Sequence, residues 1–140
     1  MKKAASQCDF KRPAKIYGLI SPHAGYPYSG YTAAFGYSFL KHKEFEKVIV
    51  VSPSHHDYFD GISICPAKAY ETPLGVIEID MELKKKFLAL KNKKLIEDWA
   101  GHGEEHALEV QLPFLQDTLG TFKLLPLVMG NQSRELCETL

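Results

Sequence analysis

The chain has 140 residues, a length that suits one domain with a core of its own. Lys and Arg together number 17 and so do Asp and Glu, a balance that carries no footprint for nucleic acid or an anionic membrane. A hydrophobic share of 45%, with eight Phe, seven Tyr and one Trp, argues against disorder, and no apolar run approaches the ~20 residues of a bilayer span.

Residues 1–14 read as a loose, polar lead-in, basic at Lys2 and Lys3 but without the apolar stretch of a signal peptide. Residues 15–140 read as the N-terminal part of an α/β domain. Lys15–Ile20 is a short, largely apolar run, expected to be a buried strand. The Gly/Pro/Tyr segment 22–30 breaks it, and Tyr31–Lys41 follows as a helix with Ala34, Phe35, Ser38 and Phe39 on one face and Ser29 as N-cap. Lys47–Val51 is β-branched and continuously apolar, which predicts a strand covered on both faces. Gly61–Cys65 reads as another short strand, Ala69–Leu74 as irregular, and Gly75–Ile79 as an edge strand or arm.

Asp80 is the expected cap of a helix from Met81 to Leu90, with Lys84, Lys85, Lys86 and Lys91 as a solvated outer face. Ile96–Gly101 is short and mixed. Glu104–Leu119 has helical spacing, with Pro113 predicting a kink or an early break. Phe122–Val128 is a further strand, Gly130–Ser133 a turn, and Arg134–Leu140 the start of a last helix. The alternation predicts an α/β fold, a three-layer α/β/α sandwich on a mainly parallel sheet. The order of elements also leads us to expect a sheet incomplete at its C-terminal side.

The three cysteines, Cys8, Cys65 and Cys137, are odd in number and form no C-x-x-C pair. That usage predicts a reducing compartment, hence the cytoplasm, and speaks against a clustered-cysteine zinc site.

The sharpest feature is a repeated arrangement: an apolar run, then Ser-Pro, then histidine. Ser21-Pro22-His23 follows Ile16–Ile20, and Ser52-Pro53-Ser54-His55-His56 follows Val48–Val51. In an open parallel sheet the carboxyl ends of the strands form the ligand crevice, so the two imidazoles can converge there on one metal ion or one substrate. Neutral imidazole is the commonest metal ligand. The alternative for each is a histidine satisfied by backbone carbonyls.

A catalytic zinc site needs three protein ligands, and a non-haem iron(II) site needs two histidines and a carboxylate. The candidates for a third ligand are His102, Glu104, Glu105, His106 and Glu109. His102-Gly103-Glu104-Glu105-His106 matches H-x-x-E-H only nominally, since Gly101 and Gly103 disfavour the continuous helix that pattern requires. Glu104 and Glu105 also suit a helix N-terminus, where the dipole favours acids. The Gly25–Gly30 segment has neither G-x-G-x-x-G nor Walker A spacing, and Ser54 lacks the G-x-S-x-G of a nucleophile elbow. Tyr26 and Tyr28 either line a pocket or cover the sheet edge.

Four motifs taken together carry a family resemblance. They are Pro22-His23-Ala24-Gly25-Tyr26-x-Tyr28-x-Gly30, Pro53-Ser54-His55-His56, Thr72-Pro73-Leu74-Gly75, and Glu105-His106-Ala107-x-Glu109-x-Gln111-Leu112-Pro113-Phe114. Their order and spacing, from about Lys15 to about Gly130, resemble the Memo family, whose microbial members go by the name AmmeMemoRadiSam system protein B. The resemblance implies a fold similar to the class III extradiol dioxygenases, non-haem iron enzymes that cleave catechol rings. It implies that His23 and His55 are metal ligands for iron(II) or copper, with zinc as a further option. It also implies a third ligand, a cysteine from the C-terminal half of family members; that cysteine and the Ser-Ser-Asp-Phe-x-His-type segment are not in this sequence.

Two functions follow as expectations. One is a dioxygenase-like, metal-dependent oxidoreductase, with His106 or His56 as acid or base and Tyr28, Ser54 and Glu105 against the substrate. The other is a non-enzymatic module that binds a peptide or protein in the same pocket, in keeping with the association of mammalian Memo proteins with receptor signalling and motility. The partner is expected to be a small molecule or peptide, with no nucleic acid and no membrane, and self-association is expected from surface that an incomplete sheet leaves uncovered.

Overall fold

The computed structural model describes residues 15–90, 92–138 and 140. The expected lead-in over 1–14, with Cys8, and the outer-face residue Lys91 lie outside the described residues. The elements run in the order α1 (Tyr26–Ser38), β1 (Lys47–Pro53), β2 (Ile62–Ile64), β3 (Ala69–Thr72), β4 (Gly75–Glu78), α2 (Met81–Leu88) and β5 (Leu95–Glu97). A 3-10 turn (Glu109–Gln111), α3 (Leu112–Leu119), β6 (Lys123–Met129) and α4 (Arg134–Cys137) follow.

Four strands form the central sheet in the order β1-β6-β2-β5. β1 pairs with β6 and β2 with β5 in parallel, while β2 meets β6 antiparallel. The sheet is therefore mainly parallel, as expected. β3 and β4 make a separate antiparallel hairpin through the Thr72–Gly75 turn, so the stretch from Ala69 is a strand and not irregular.

β6 is apolar and buried along nearly its whole length because it is covered on both faces. Alternation along it separates two cores. Leu124 and Val128 face α1 and α3, packing with Ala33, Tyr37, Leu108, Leu112 and Leu115. Leu125, Leu127 and Met129 face the other way, packing with Ile62, Ile64 and Leu136 and with Leu83, Phe87 and Leu88 of α2. Helices thus lie on both sides of the sheet, in three layers. Among the described residues no helix is long and apolar enough to cross a membrane.

Several expectations are corrected. Lys15–Ile20 forms no strand: it runs without ladder bonds, and Tyr17 and Ile20 are exposed. An apolar run becomes a strand only where a neighbour takes its N–H and C=O groups. β1 is likewise not buried on both faces. Val48, Val50 and Ser52 face the α1 side, but Ile49 and Val51 are nearly half exposed, since α2 packs over the opposite half of the sheet.

The first helix starts at Tyr26, earlier than expected, with Pro27 in its first turn, where a missing N–H costs nothing. Ser29 does not cap it; its hydroxyl donates to the Ala24 carbonyl at 2.9 Å. Pro113 does not kink a long helix but sits at the start of α3 for the same reason, and the chain from Glu104 to Leu108 is loop.

Asp80 caps α2 as predicted, Oδ1 accepting from Leu83 N at 2.9 Å. Lys84, expected on a solvated face, is buried. Its ammonium donates to the Cys65 carbonyl at 2.7 Å and pairs with Glu97 at 2.6 Å.

Candidate metal centre

The parallel pairing of β1 with β6 puts the carboxyl ends of both strands at one edge, at Pro53 and Met129. One further ladder bond, Ser54 N to the Met129 carbonyl at 2.9 Å, carries the chain just past the strand and delivers His55 at the sheet end. The Ser54 hydroxyl then closes a tight turn, accepting from Asp57 N at 3.1 Å and donating to the Asp57 carbonyl at 2.7 Å. Asp57 in turn accepts from Gly101 N at 2.7 Å. The loop that carries His55 is thereby tied to the loop that carries His102 through His106.

Glu105 joins the two loops at their centre. Its side chain is 1% exposed, and both oxygens accept hydrogen bonds from main chain or ring. Oε2 takes His55 N, and Oε1 takes His106 N and Ala107 N, each at 2.8 Å. Oε1 also faces His55 Nδ1 at 3.0 Å and His106 Nδ1 at 3.4 Å. Burial pushes the Glu105 carboxyl up, but the His55 and Ala107 amides and the His55 ring overcome it and hold the group down at about 2. The group is therefore an anion at any physiological pH.

This carboxylate sets the orientation of the imidazoles. A ring whose Nδ1 is held by an acid presents Nε2 outward, the arrangement that fixes tautomer and direction in metal-ligating histidines. Glu105 does this for His55 directly and lies near enough to His106 Nδ1 to act on both. The two rings stack at 5.2 Å between centroids and 22° between planes. His23, brought in by the extended segment before α1, lies on another side of His55 at 5.2 Å and 47°. His56 meets His106 edge-on at 6.4 Å. His55, Glu105 and His106 offer ligand atoms within 4.8 Å of one another. Glu105 Oε1 is filled by the bonds described above, while Oε2 accepts only the His55 amide, so the donors left open are the imidazole nitrogens and one lone pair of Oε2.

The structure thus brings together His23, His55, His56, Glu105 and His106. Ser54 adjoins them but spends its hydroxyl on its own turn. Tyr28 stands apart on α1, 88% exposed, while Tyr26 packs edge-on against Phe114 at 5.6 Å. Of the other candidate ligands, Glu104 and Glu109 are exposed in loop and 3-10 turn. His102 is turned away: its Nδ1 meets the Tyr70 hydroxyl at 2.6 Å and its Nε2 the Ser63 carbonyl at 3.3 Å. Glu105 does not complement a helix dipole, because no helix begins there.

A family model described as Memo-like protein matches residues 1–140. A relative called MEMO1 family protein from Nitrosopumilus maritimus is 41% identical over 125 residues, which is 88% of this chain and 45% of the relative. Its namesake in Ignicoccus hospitalis is 39% identical over 132 residues, 93% of this chain and 46% of the relative. Another in Methanosarcina acetivorans is 40% identical over 126 residues, 89% and 45% respectively. The chain spans a little under half the length of the curated relatives it matches.

Proposed function

Because the chain belongs to the Memo family, we propose that it binds a redox-active metal, iron(II) or copper, through His23 and His55 in a dioxygenase-like pocket at the carboxyl ends of β1 and β6. The observation that carries this reading is the buried Glu105 carboxylate. It holds His55 by both the main chain and Nδ1, and so leaves Nε2 as an open, outward-facing donor beside His23. A carboxylate–histidine pair of this kind raises the basicity of the ligating nitrogen. Imidazole donors suit iron, copper and zinc alike, so the donor set fits the group.

A metal bound there supplies Lewis acidity and one-electron chemistry to a small organic substrate. The rest falls to the chain's own residues. Glu105 orients His55. His106, stacked on His55 and partly open to solvent, is placed to hold or pass a proton, with His56 behind it.

The test is the metal content of purified protein, measured for iron, copper and zinc, in the wild type and in His23→Ala, His55→Ala and His106→Ala. Metal that is retained by the wild type and lost in the first two variants supports the assignment. Loss in His106→Ala to the same degree makes His106 a ligand and not an acid–base group. Metal that is absent, or indifferent to His23 and His55, sinks the proposal.

A further inference from the structure

Two stretches of main chain lie unpaired on the outer side of β1. β1 is an edge of the central sheet, and among the described residues β6 is its only ladder partner. Beside that free edge runs segment 15–20, which has no ladder bonds of its own. A cavity of about 410 Å³ separates the two, with residues 16–19 and 21 on one side and Lys47–Pro53 on the other. Each side carries N–H and C=O groups of the kind the other needs.

The segment ends where β1 ends, since His23 meets the His55 ring at 5.2 Å. Closing it against β1 therefore makes a parallel pair. Leu19 lies against Gly36 of α1, and Val48 and Val50 face the same layer. Matching Leu19 with Val50 sets Tyr17 beside Val48, Gly18 beside Ile49 and Ile20 beside Val51. It also brings the two Ser-Pro steps, at Ser21 and Ser52, level with each other. In that register Ile20, now fully exposed, covers the half-exposed Val51, and Tyr17 turns from solvent toward the cavity. The two histidines differ in the same sense. His55 is fixed by the Ser54–Met129 ladder bond and by Glu105, whereas His23 hangs from main chain without a ladder.

We propose that segment 15–20 is a strap with two positions, open as described and closed as a fifth strand parallel to β1, and that a metal held by His23 and His55 draws it shut. The coupling to metal rests on the function proposed above; the closed position does not. A metal that needs both imidazoles binds more tightly where the ladder fixes His23, and linkage then requires that closing the strap raise metal affinity. Gly18 is the lever. A Cβ there meets nothing within 4 Å, and glycine is a poor strand residue, so Gly18→Val favours the closed form without disturbing the open one.

Amide hydrogen exchange in the 140-residue protein reads the strap. Zinc(II) is the probe, because it takes imidazole ligands and has no redox chemistry. In the metal-free wild type the amides of residues 17–20 are expected to exchange freely. With zinc they are expected to gain protection together with the β1 amides that β6 leaves unpaired. Gly18→Val is expected to show part of that protection without metal and to bind zinc about three- to tenfold tighter. Gly18→Pro and Leu19→Pro remove N–H groups that point to opposite sides of a strand. One of the two is expected to lose the protection and to bind zinc more weakly, with thermal unfolding as the check on folding. Zinc binding that leaves residues 17–20 unprotected overturns the strap. So does full protection in the metal-free wild type, a Gly18→Val protein without protection, or one zinc affinity shared by wild type and all three variants. Protection that comes with a doubled mass in sedimentation also overturns it, since a second copy then supplies the strand. Protection in Gly18→Val with no zinc bound refutes the metal reading and leaves the strap in place.

Discussion

Replacing Glu105 by Gln tests the centre of the site with one atom. The carboxylate is buried and accepts from His55 N, His106 N, Ala107 N and the His55 ring. A glutamine keeps one acceptor oxygen and turns an NH₂ donor toward N–H groups, leaving at least one buried donor unpaired. Each such group costs about 1–3 kcal/mol, so a loss of about 2–4 kcal/mol at pH 7 is expected. The pH dependence gives an independent magnitude. The Glu105 carboxyl sits at about 2 in the folded protein against an ordinary 4.5, a difference worth about 3 kcal/mol. Because the folded value is the lower one, this stability is present above the unfolded value and is lost as pH falls through about 4.5 toward 2. Urea unfolding of wild type and Glu105→Gln at pH 7, 4 and 2.5 reads it directly. The wild type should lose stability more steeply than the variant, and the two curves should approach each other at low pH. Asp80, also held below the usual carboxylate range by the Lys47 ammonium and the Leu83 amide, titrates in both proteins and cancels in the difference. Parallel curves would refute the claim that Glu105 is the clamped anion of the site. With the fold retained, metal affinity should fall by roughly 10–100-fold, the usual effect of losing a carboxylate behind a ligating histidine.

Other changes have equally definite outcomes. A Cβ at Gly130 would lie 2.1 Å from the Phe59 carbonyl oxygen, so Gly130→Ala should cost about 3 kcal/mol or more, or prevent folding, as read by the unfolding midpoint. Asp80→Ala removes the cap of α2 and the partner of Lys47 and should cost about 1–2 kcal/mol in the same assay. Burial lowers the His102 imidazole below its ordinary value, so this histidine favours folding above about pH 6.5 and withdraws that support as pH falls through its folded value. Tyr70→Phe strips the hydroxyl from His102 Nδ1; a loss of about 1–2 kcal/mol at pH 8 is expected from the unfolding midpoint.

The elements that sequence reading placed well are those whose signal is local. The Asp80 cap lies three residues from the amide it serves, and the β6 run is apolar because both its faces are covered. His23 and His55 were visible because each directly follows an apolar run and a Ser-Pro step, and the structure does set their rings side by side. Long-range partners were not legible. Lys15–Ile20 has the composition of a strand but no ladder, and composition does not report a neighbour. Lys84 was hidden among lysines, although Phe87 and Leu88, three and four residues on, mark its helix face as the inward one. Glu105 looked like an N-terminal helix acid because its real donors include His55, 50 residues upstream.

That separation explains why the site takes the form it does. His55 and His106 sit on two loops, and loops are the mobile parts of an α/β fold. A metal or substrate site built on them holds its geometry only if something fixes the loops to each other. Glu105 does so with main-chain amides from both, and Asp57 repeats the tie through Gly101 N. Each tie uses an anion against N–H donors, which is stronger than a neutral pair. The same carboxylate that locks the loops also sets the direction of His55, so loop rigidity and imidazole orientation are one interaction. Loosening the loops and disordering the histidine should therefore be inseparable. Glu105→Gln ought to raise amide hydrogen exchange at residues 55 and 106–107 together, while exchange in β6 stays at the wild-type rate. If exchange rose at His55 alone, the two loops would be held by something other than this carboxylate.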